Sequence, residues 1–169
     1  IGSPVEGLSI DDFVTSNTNL ADHNSQHGIG VFSNDGNIDT AAAMYTNYTT
    51  SSVSDAGDFV SGQGYSMATD ENVSPGTTLD FTGSVLTTDV SEIGIDDNSS
   101  GAPVFGKWNL VANPFPSYIN ANTNADANDN FLSVNEANLH SAFAYIYGYN
   151  ENGSFDVYNQ FDSAVYIAP

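Results

Sequence analysis

The stretch SAFAYIYGYNENGSFDVYN, residues 141–159, carries the clearest secondary-structure signal in this chain. Two segments rich in tyrosine and phenylalanine flank the Asn-Gly pair at 152–153, and Asn-Gly favours the positive φ angles of a two-residue type I′ turn. On the first segment Tyr145, Tyr147 and Tyr149 alternate, so they project from one face of a strand. The stretch therefore predicts an antiparallel hairpin with one aromatic face.

The tyrosine row on this hairpin has two interpretations. An exposed row is suited to stacking on sugar rings, with polar groups at its edges, as in many β-sandwich modules that bind glycans. A buried row is core or second-layer packing, and the small apolar residues at the alternate positions are themselves candidates for the core. Phe155 and Val157 of the second segment can lie opposite this row, with Tyr158 nearby. The first interpretation gives four candidate ligand-binding residues, Tyr145, Tyr147, Tyr149 and Tyr158.

Other turns and caps along the chain indicate the same fold class. An Asn-Asp-Gly-Asn turn between GIGVFS and AAAMYTNYT predicts a second hairpin. Its second strand is expected from about Ala43, although the three alanines also suit the start of a helix. Ser9 with Asp12, and Ser133 with Glu136, have capping-box spacing and predict two short helices.

Three further expectations concern single segments. Leu79 and Phe81 alternate with polar residues in TTLDFTGSVLT, which predicts a strand. PVFGKWNLVAN, residues 103–113, predicts another strand, ended by the two prolines that follow. NTNLADHNSQH, residues 17–27, predicts a polar loop.

The chain as a whole predicts an all-β fold of about ten strands with one or two short helices. The expected architecture is a two-sheet, jelly-roll-like β-sandwich. Its 169 residues suit a single domain over 1–169, long enough to bury a core without covalent staples. Because IGSPV at the start and AVYIAP at the end read as strand interiors, we expect a piece of a longer protein.

The chain is strongly acidic, with one Lys or Arg against 21 Asp and Glu and a formal charge of −20. Nucleic acids and anionic membrane surfaces select basic patches, so neither is an expected partner. The absence of Cys excludes disulfides, and no apolar run is long enough for a membrane-spanning helix. The charge fits a salty extracellular setting with available Ca²⁺, or alternatively a solvated acidic surface.

The stretch WNLVANPFPS, Trp108–Ser117, resembles a module of large secreted and surface proteins of Bacteroidetes, which are often exported by the type IX secretion system. IGSPVEG, GQGYSM, LDFTGSV, the aromatic hairpin and the closing YIAP resemble further strands of that module in the same order. The resemblance implies a secreted or cell-surface β-sandwich of the kind found beside polysaccharide-degrading enzymes and adhesins. It implies no catalytic residue.

Two loops have the composition of a calcium site. Ca²⁺ prefers six to eight oxygen ligands in a tolerant geometry, and carboxylate and amide side chains are dense in DANDN and DDNSSG. Both loops lack the residue spacing of an EF-hand. The alternative is a solvated loop in which Asp and Asn side chains cap the turns. The candidate ligands are Asp126, Asn128, Asp129 and Asn130 in the first loop and Asp96 and Asp97 in the second.

Catalytic patterns are weak in this sequence. It has no nucleophile elbow or phosphate loop, and Lys107 is its single basic residue. His23 and His27 have the spacing of a helical zinc site, but their stretch lacks a helical pattern. We therefore expect a non-catalytic extracellular module that binds polysaccharide or cell-surface glycan or mediates adhesion, with Ca²⁺ in a loop. The alternative is a structural or filament module that binds only neighbouring domains of its own protein.

Overall fold

The computed structural model describes residues 1–34, 41–91, 94–95, 107–142, 144–149, 152 and 154–169. Within these ranges the chain is mostly β-structure, with ten strands in several antiparallel sheets and two short α-helices, which confirms the all-β class. The two-sheet sandwich and the single domain over 1–169 stay predictions. Backbone contacts divide the chain into two compact units, Ile1–Pro116 and Ser117–Pro169.

Most elements of both units are short. The elements of the first unit, in chain order, are β1 (Val5–Glu6), α1 (Ile10–Ser16), β2 (Asp22–His23), β3 (Gln26–Phe32), β4 (Tyr45–Thr49), β5 (Tyr65–Met67) and β6 (Ser84–Val85). Those of the second unit are β7 (Ile119–Asn120), α2 (Phe131–Asn135), β8 (Ile146–Tyr149), β9 (Phe155–Tyr158) and β10 (Tyr166–Ile167). The described residues also contain 3₁₀ turns at Ala41–Met44, Val53–Asp55 and Glu136–Asn138.

Strand β3 is the centre of the largest sheet. It pairs antiparallel with β4 and with β5 on opposite edges, since Val31 pairs with a residue of each. A Cβ on Gly30 would lie 2.8 Å from the Thr46 carbonyl oxygen, and one on Gly28 would overlap with the Ala68 carbonyl oxygen. Glycine at these two positions therefore lets three backbones approach closely.

The second predicted hairpin is confirmed as the β3–β4 pair, but its second strand begins later than expected. The alanines form the 3₁₀ turn Ala41–Met44, and β4 starts at Tyr45 rather than about Ala43. The expected turn residues, 35–37, lie outside the described residues.

The expectation of a polar loop over 17–27 is wrong, because a tight hairpin joins β2 to β3 within it. Asn24 and Ser25 form the two-residue turn, with φ of +52° and +65°. Positive φ at both central residues is the requirement of a type I′ turn, and asparagine reaches it at low cost. The sequence signal was the single Asn24, obscured by the polar residues on both sides.

The apolar core of the first unit forms around helix α1. Ser9 accepts a hydrogen bond from the Asp12 N–H at 3.0 Å, which confirms the predicted N-cap. The helix buries Ile10 and Phe13, and Phe13 is fully inaccessible to solvent. Its ring meets the rings of Phe59 at 5.2 Å and of Phe81 at 4.7 Å. The remaining core residues packed with them are Val5, Leu8, Leu20, Ile29, Val53 and Tyr65.

Two buried asparagines at the end of α1 hold the segment 76–80 on this core. The Asn17 side chain donates to the Asp80 carbonyl at 3.0 Å and accepts from the Asp80 N–H at 2.7 Å. The Asn19 side chain donates to the carbonyls of Gly76 and Thr78 at 2.6 and 2.8 Å. Because this segment forms no strand, asparagine amides take the place of sheet hydrogen bonds there.

One buried asparagine holds the second unit together in the same way. The Asn122 side chain donates to the carbonyls of Asn159, Asp162 and Ser163 at 3.0–3.2 Å. Its Oδ1 accepts from the N–H groups of Ala125 and Val165 at 3.2 and 3.1 Å. These contacts join the loop after β7 to the whole connection between β9 and β10.

Two predicted strands form few strand pairings in the residues that the structure describes. In TTLDFTGSVLT only Ser84–Val85 pairs, as β6, although Leu79 and Phe81 are half-buried against the core as their alternation predicted. Among the described residues of 103–113, Val111 forms a single bridge to Gln63 instead of a strand. At this bridge the Gly64 N–H donates to the Leu110 carbonyl at 3.0 Å, and the Ala112 N–H donates to the Gly62 carbonyl at 2.9 Å.

A side chain caps the proline corner after that segment. The Asn113 side chain is buried and accepts from the Phe115 N–H at 2.9 Å, closing a turn around Pro114. Trp108 is half-buried. The second predicted helix is also present, but Asn130 rather than Ser133 is its N-cap.

Phe13→Ala should lower the free energy of unfolding by about 3–5 kcal/mol, because the substitution leaves a cavity among Phe59 and Phe81. Denaturant titration followed by Trp108 fluorescence measures the effect, since this single Trp belongs to the first unit. The control is Val60→Ala in the same unit, whose side chain is 51% exposed and whose substitution should change stability by less than about 0.5 kcal/mol. Equal losses for the two variants would contradict the assignment of the core.

Candidate functional site

The predicted aromatic hairpin is present as the β8–β9 pair. The register pairs Tyr147 with Val157 and Tyr149 with Phe155. Residues paired across an antiparallel ladder project from the same face, and Tyr145 precedes β8 in the same alternation. We call the resulting surface the aromatic face; its members are Tyr145, Tyr147, Tyr149, Phe155 and Val157.

The aromatic face is largely open to solvent. Tyr149 is 70% exposed and Phe155 59%, Tyr145 and Val157 are also exposed, and Tyr147 is half-buried. Full exposure of large apolar rings costs hydrophobic free energy, so a row of four rings on one short hairpin is a surface feature that calls for an explanation. The exposure favours the first of the two interpretations of the tyrosine row over the interpretation as core.

The rings of this face meet at steep angles. Tyr145 and Tyr147 have centroids 6.4 Å apart with an interplanar angle of 84°. Tyr149 and Phe155 have centroids 5.6 Å apart at 69°. Edge-to-face contacts of this kind are the favourable geometry for aromatic pairs, so the rings are held in place by one another.

Tyr158, the fourth predicted ligand-binding residue, lies on the opposite face. It pairs with Ile146, and a Cβ on Gly148 would lie 3.3 Å from its ring. A two-residue turn at 152–153 would have paired Tyr147 with Tyr158 and placed both on one face. The observed register differs by one residue, and such a shift moves every side chain of β9 to the other face.

The register places two further residues on the aromatic face. Phe155 and Val157 pair with Tyr149 and Tyr147, as their alternation allowed, while Asp156 pairs with Gly148 on the opposite face. The five members of the aromatic face are therefore all uncharged, in a chain of net charge −20. Among the residues expected near the tyrosine row, Tyr158 is the one that the register places on the other face.

The first predicted calcium loop is organised by hydrogen bonds within the loop itself. The Asp126 carboxylate accepts from the N–H groups of Asn128 and Asp129 at 2.9 and 3.1 Å. Asn130 is buried, donates to the Asp126 carbonyl at 2.7 Å and caps helix α2 through its Oδ1. Side-chain oxygens of Asp126 and Asn130 are thus already used by backbone donors, which fits the alternative of capped turns better than a cation cage.

The hydrogen bonds to Asp126 lower the pKa of its carboxyl group below the usual 3.8, with the Asn128 N–H contributing most and the Asp129 N–H next. Among the described residues, no group of three or more Asp, Glu, His or Cys side chains is arranged to hold a metal ion. Asn128 and Asp129 are exposed, whereas Asp96 and Asp97 of the second predicted loop lie outside the described residues.

The two histidines with zinc-like spacing lie on different strands. His23 is on β2 and contacts Asn24 at 2.8 Å, while His27 is on β3. His27 faces Asp22 across the hairpin, with 3.7 Å between Nδ1 and the nearer carboxylate oxygen. The i, i+4 spacing of His23 and His27 therefore spans a tight hairpin. It is not the spacing of two ligands on one face of a helix.

A small cleft lies beside the WNLVANPFPS segment in the first unit. Its volume is about 200 Å³, and Phe32, Asn34, Val60, Gln63 and Leu110 are among its lining residues. Ligand pockets for small molecules are typically about 300–1,000 Å³. This cleft is below that range, so the aromatic face is the stronger candidate site.

Comparisons with known proteins found no match. No family model matches the chain, and neither a curated protein nor a solved structure matches it. The resemblance based on WNLVANPFPS stays a prediction. In the part of the chain that the structure describes, no helix has the length and apolar character needed to cross a membrane.

Asp126 should titrate below its usual pKa of 3.8 when followed by NMR in the folded protein. Because the folded-state pKa is lowered, the carboxylate contributes stability above pH 3.8 that is lost as the pH falls through the folded value. Asp126→Asn keeps an oxygen to cap the turn but has no carboxyl proton, so it should remove this part of the acid sensitivity. A titration at or above 3.8 would show that the two N–H contacts do not form.

Proposed function

We propose that this chain is a non-catalytic, extracellular glycan-binding module that acts in polysaccharide binding or surface adhesion. The single observation that supports the proposal most strongly is the solvent exposure of the aromatic face on β8–β9. Tyrosine rings offer a broad apolar surface for the C–H groups of a sugar and a hydroxyl at the edge for hydrogen bonds. Location at the cell surface and transport by type IX secretion belong to the same proposal.

The acidity of the chain supports one class of glycan over another. With 21 acidic residues and a single Lys, the protein repels anionic polymers at moderate ionic strength. The aromatic face carries no charge of its own. A neutral sugar can therefore bind there without burying an ionic group of the protein, which would cost free energy. We therefore expect neutral polysaccharides as the ligand class, with anionic polysaccharides bound only through bridging Ca²⁺.

Tyr149→Ala should weaken binding to a retained glycan about tenfold, since the loss of one stacked ring is worth roughly 1–1.5 kcal/mol. A glycan array identifies the polysaccharide, and titration calorimetry measures the change in affinity. Tyr118→Ala is the matched control, because Tyr118 is 69% exposed, belongs to the same unit and lies outside the hairpin. Equal losses for the two variants, or none for either, would contradict the site.

The alternative is a structural module that binds only neighbouring protein segments. It is supported by the sheets, since three of the four sheets in the described residues have only two strands. Two-stranded sheets are marginal alone, and open edges accept further strands from other segments. Concentration-dependent assembly in sedimentation experiments, without retention of any glycan, would favour this alternative.

Calcium binding at the Asp126 loop stays a proposal with its own test. Thermal unfolding is compared in Ca²⁺, Mg²⁺ and EDTA at fixed ionic strength. A ligand that binds only the folded state raises stability by mass action, so a specific site should raise the midpoint in Ca²⁺ alone. That rise should disappear in Asp129→Asn, which removes one carboxylate charge from the loop and leaves the Asp126 turn contacts in place. Equal midpoints in all three conditions would reject the site.

A further inference from the structure

The angles between the rings of the aromatic face restrict the physical form of glycan that it accepts. In each of the two pairs, Tyr145 with Tyr147 and Tyr149 with Phe155, the planes are inclined by 84° and 69°. A flat surface lies parallel to at most one ring of each such pair. The four rings therefore do not form a planar platform.

Each pair instead meets edge to face, and we call the angle between its two ring planes a corner. A sugar unit placed on one ring has its side against the other ring, so the corner contacts the unit on two sides. Only a unit with a free side can enter such a corner. Units of a single glycan chain or a chain end meet this condition, whereas units within a flat crystalline layer have neighbouring chains on both sides.

The two corners follow one another along the hairpin. Tyr147 and Tyr149 belong to different corners and are two residues apart on β8, or about 7 Å at the usual rise of a strand. This spacing places the corners in one line along the strand direction. A linear chain that follows β8 therefore meets both corners in succession.

Charge adds a second restriction. Asp156 is the acidic residue on the described part of the hairpin, and its register position places it on the face opposite the rings. The rings themselves carry no cation to pair with a uronate or sulfate group. An anionic chain would gain the same stacking contacts but would meet the repulsion of a protein of net charge −20.

We infer that the aromatic face binds single, neutral glycan chains or chain ends and does not bind the flat faces of crystalline polysaccharides. This inference rests on the proposed glycan-binding function and specifies the form of its ligand. The two steeply inclined ring pairs select for the free sides of a single chain, and the uncharged face within an acidic protein selects for neutral sugars.

The test uses the full chain against matched soluble and crystalline probes. Titration calorimetry measures binding to cellohexaose, xylohexaose, mannohexaose and chitohexaose, and to polygalacturonate as an anionic probe. Pull-down measures retention on microcrystalline cellulose and crystalline chitin. We expect at least one neutral hexasaccharide to bind, with affinity reduced about tenfold in Tyr149→Ala and in Tyr145→Ala, and no specific retention on either crystalline material.

The outcomes separate this inference from the proposed function. Retention on a crystalline material with no binding of its soluble hexasaccharide would overturn the inference and leave glycan binding intact. Binding of polygalacturonate as tight as that of any neutral hexasaccharide would overturn its charge restriction. Binding to none of the probes would reject the proposed function itself, and self-association that Tyr149→Ala abolishes would assign the face to a second copy of the chain.

Discussion

The second unit depends on one buried side chain, that of Asn122. Its amide makes five hydrogen bonds, three as donor and two as acceptor, to backbone groups of two loops far apart in sequence. One partner is the carbonyl of Asn159, the residue that follows β9. The contacts that close the loop after β7 therefore also fix the end of the hairpin that carries the aromatic face.

Buried asparagines that bond to loop backbone recur because the strands are short and much of the backbone is in loops. Buried N–H and C=O groups need partners, and a sheet supplies few of them when its strands have two to seven residues. Asparagine offers a donor and an acceptor with the geometry of a peptide group. Among the residues whose burial the structure describes, five of the six buried polar side chains are asparagines: Asn17, Asn19, Asn113, Asn122 and Asn130. Neutral amides meet this need without adding to the self-repulsion of an acidic chain.

Sequence patterns predicted local features where one physical cause dominates. Helix α1 follows from the Ser9 cap, and the aromatic hairpin follows from alternation on both sides of an Asn-Gly pair. The placement of Tyr158 beside the tyrosine row does not hold, because the observed register differs by one residue from that of a two-residue turn. Calcium binding at the Asp126 loop stays a prediction, since the same oxygens serve a metal or a backbone N–H and only tertiary contacts distinguish the two roles. Of the strand expected over 103–113, the described residues 107–113 form a single bridge, from Val111 to Gln63, a pairing with a distant turn that the local pattern does not reveal.

The central claim is that buried asparagine amides hold the loops in place, and the isosteric variant Asn122→Asp tests it most directly. Aspartate keeps the shape but replaces three donated hydrogen bonds with a charge facing three carbonyl oxygens. Denaturant unfolding monitored by hydrogen exchange of residues 117–169 should show a loss of more than about 3 kcal/mol. The exposed Asn138→Asp adds the same charge in the same unit and should cost less than about 0.5 kcal/mol. Equal protection in the two variants would contradict the account.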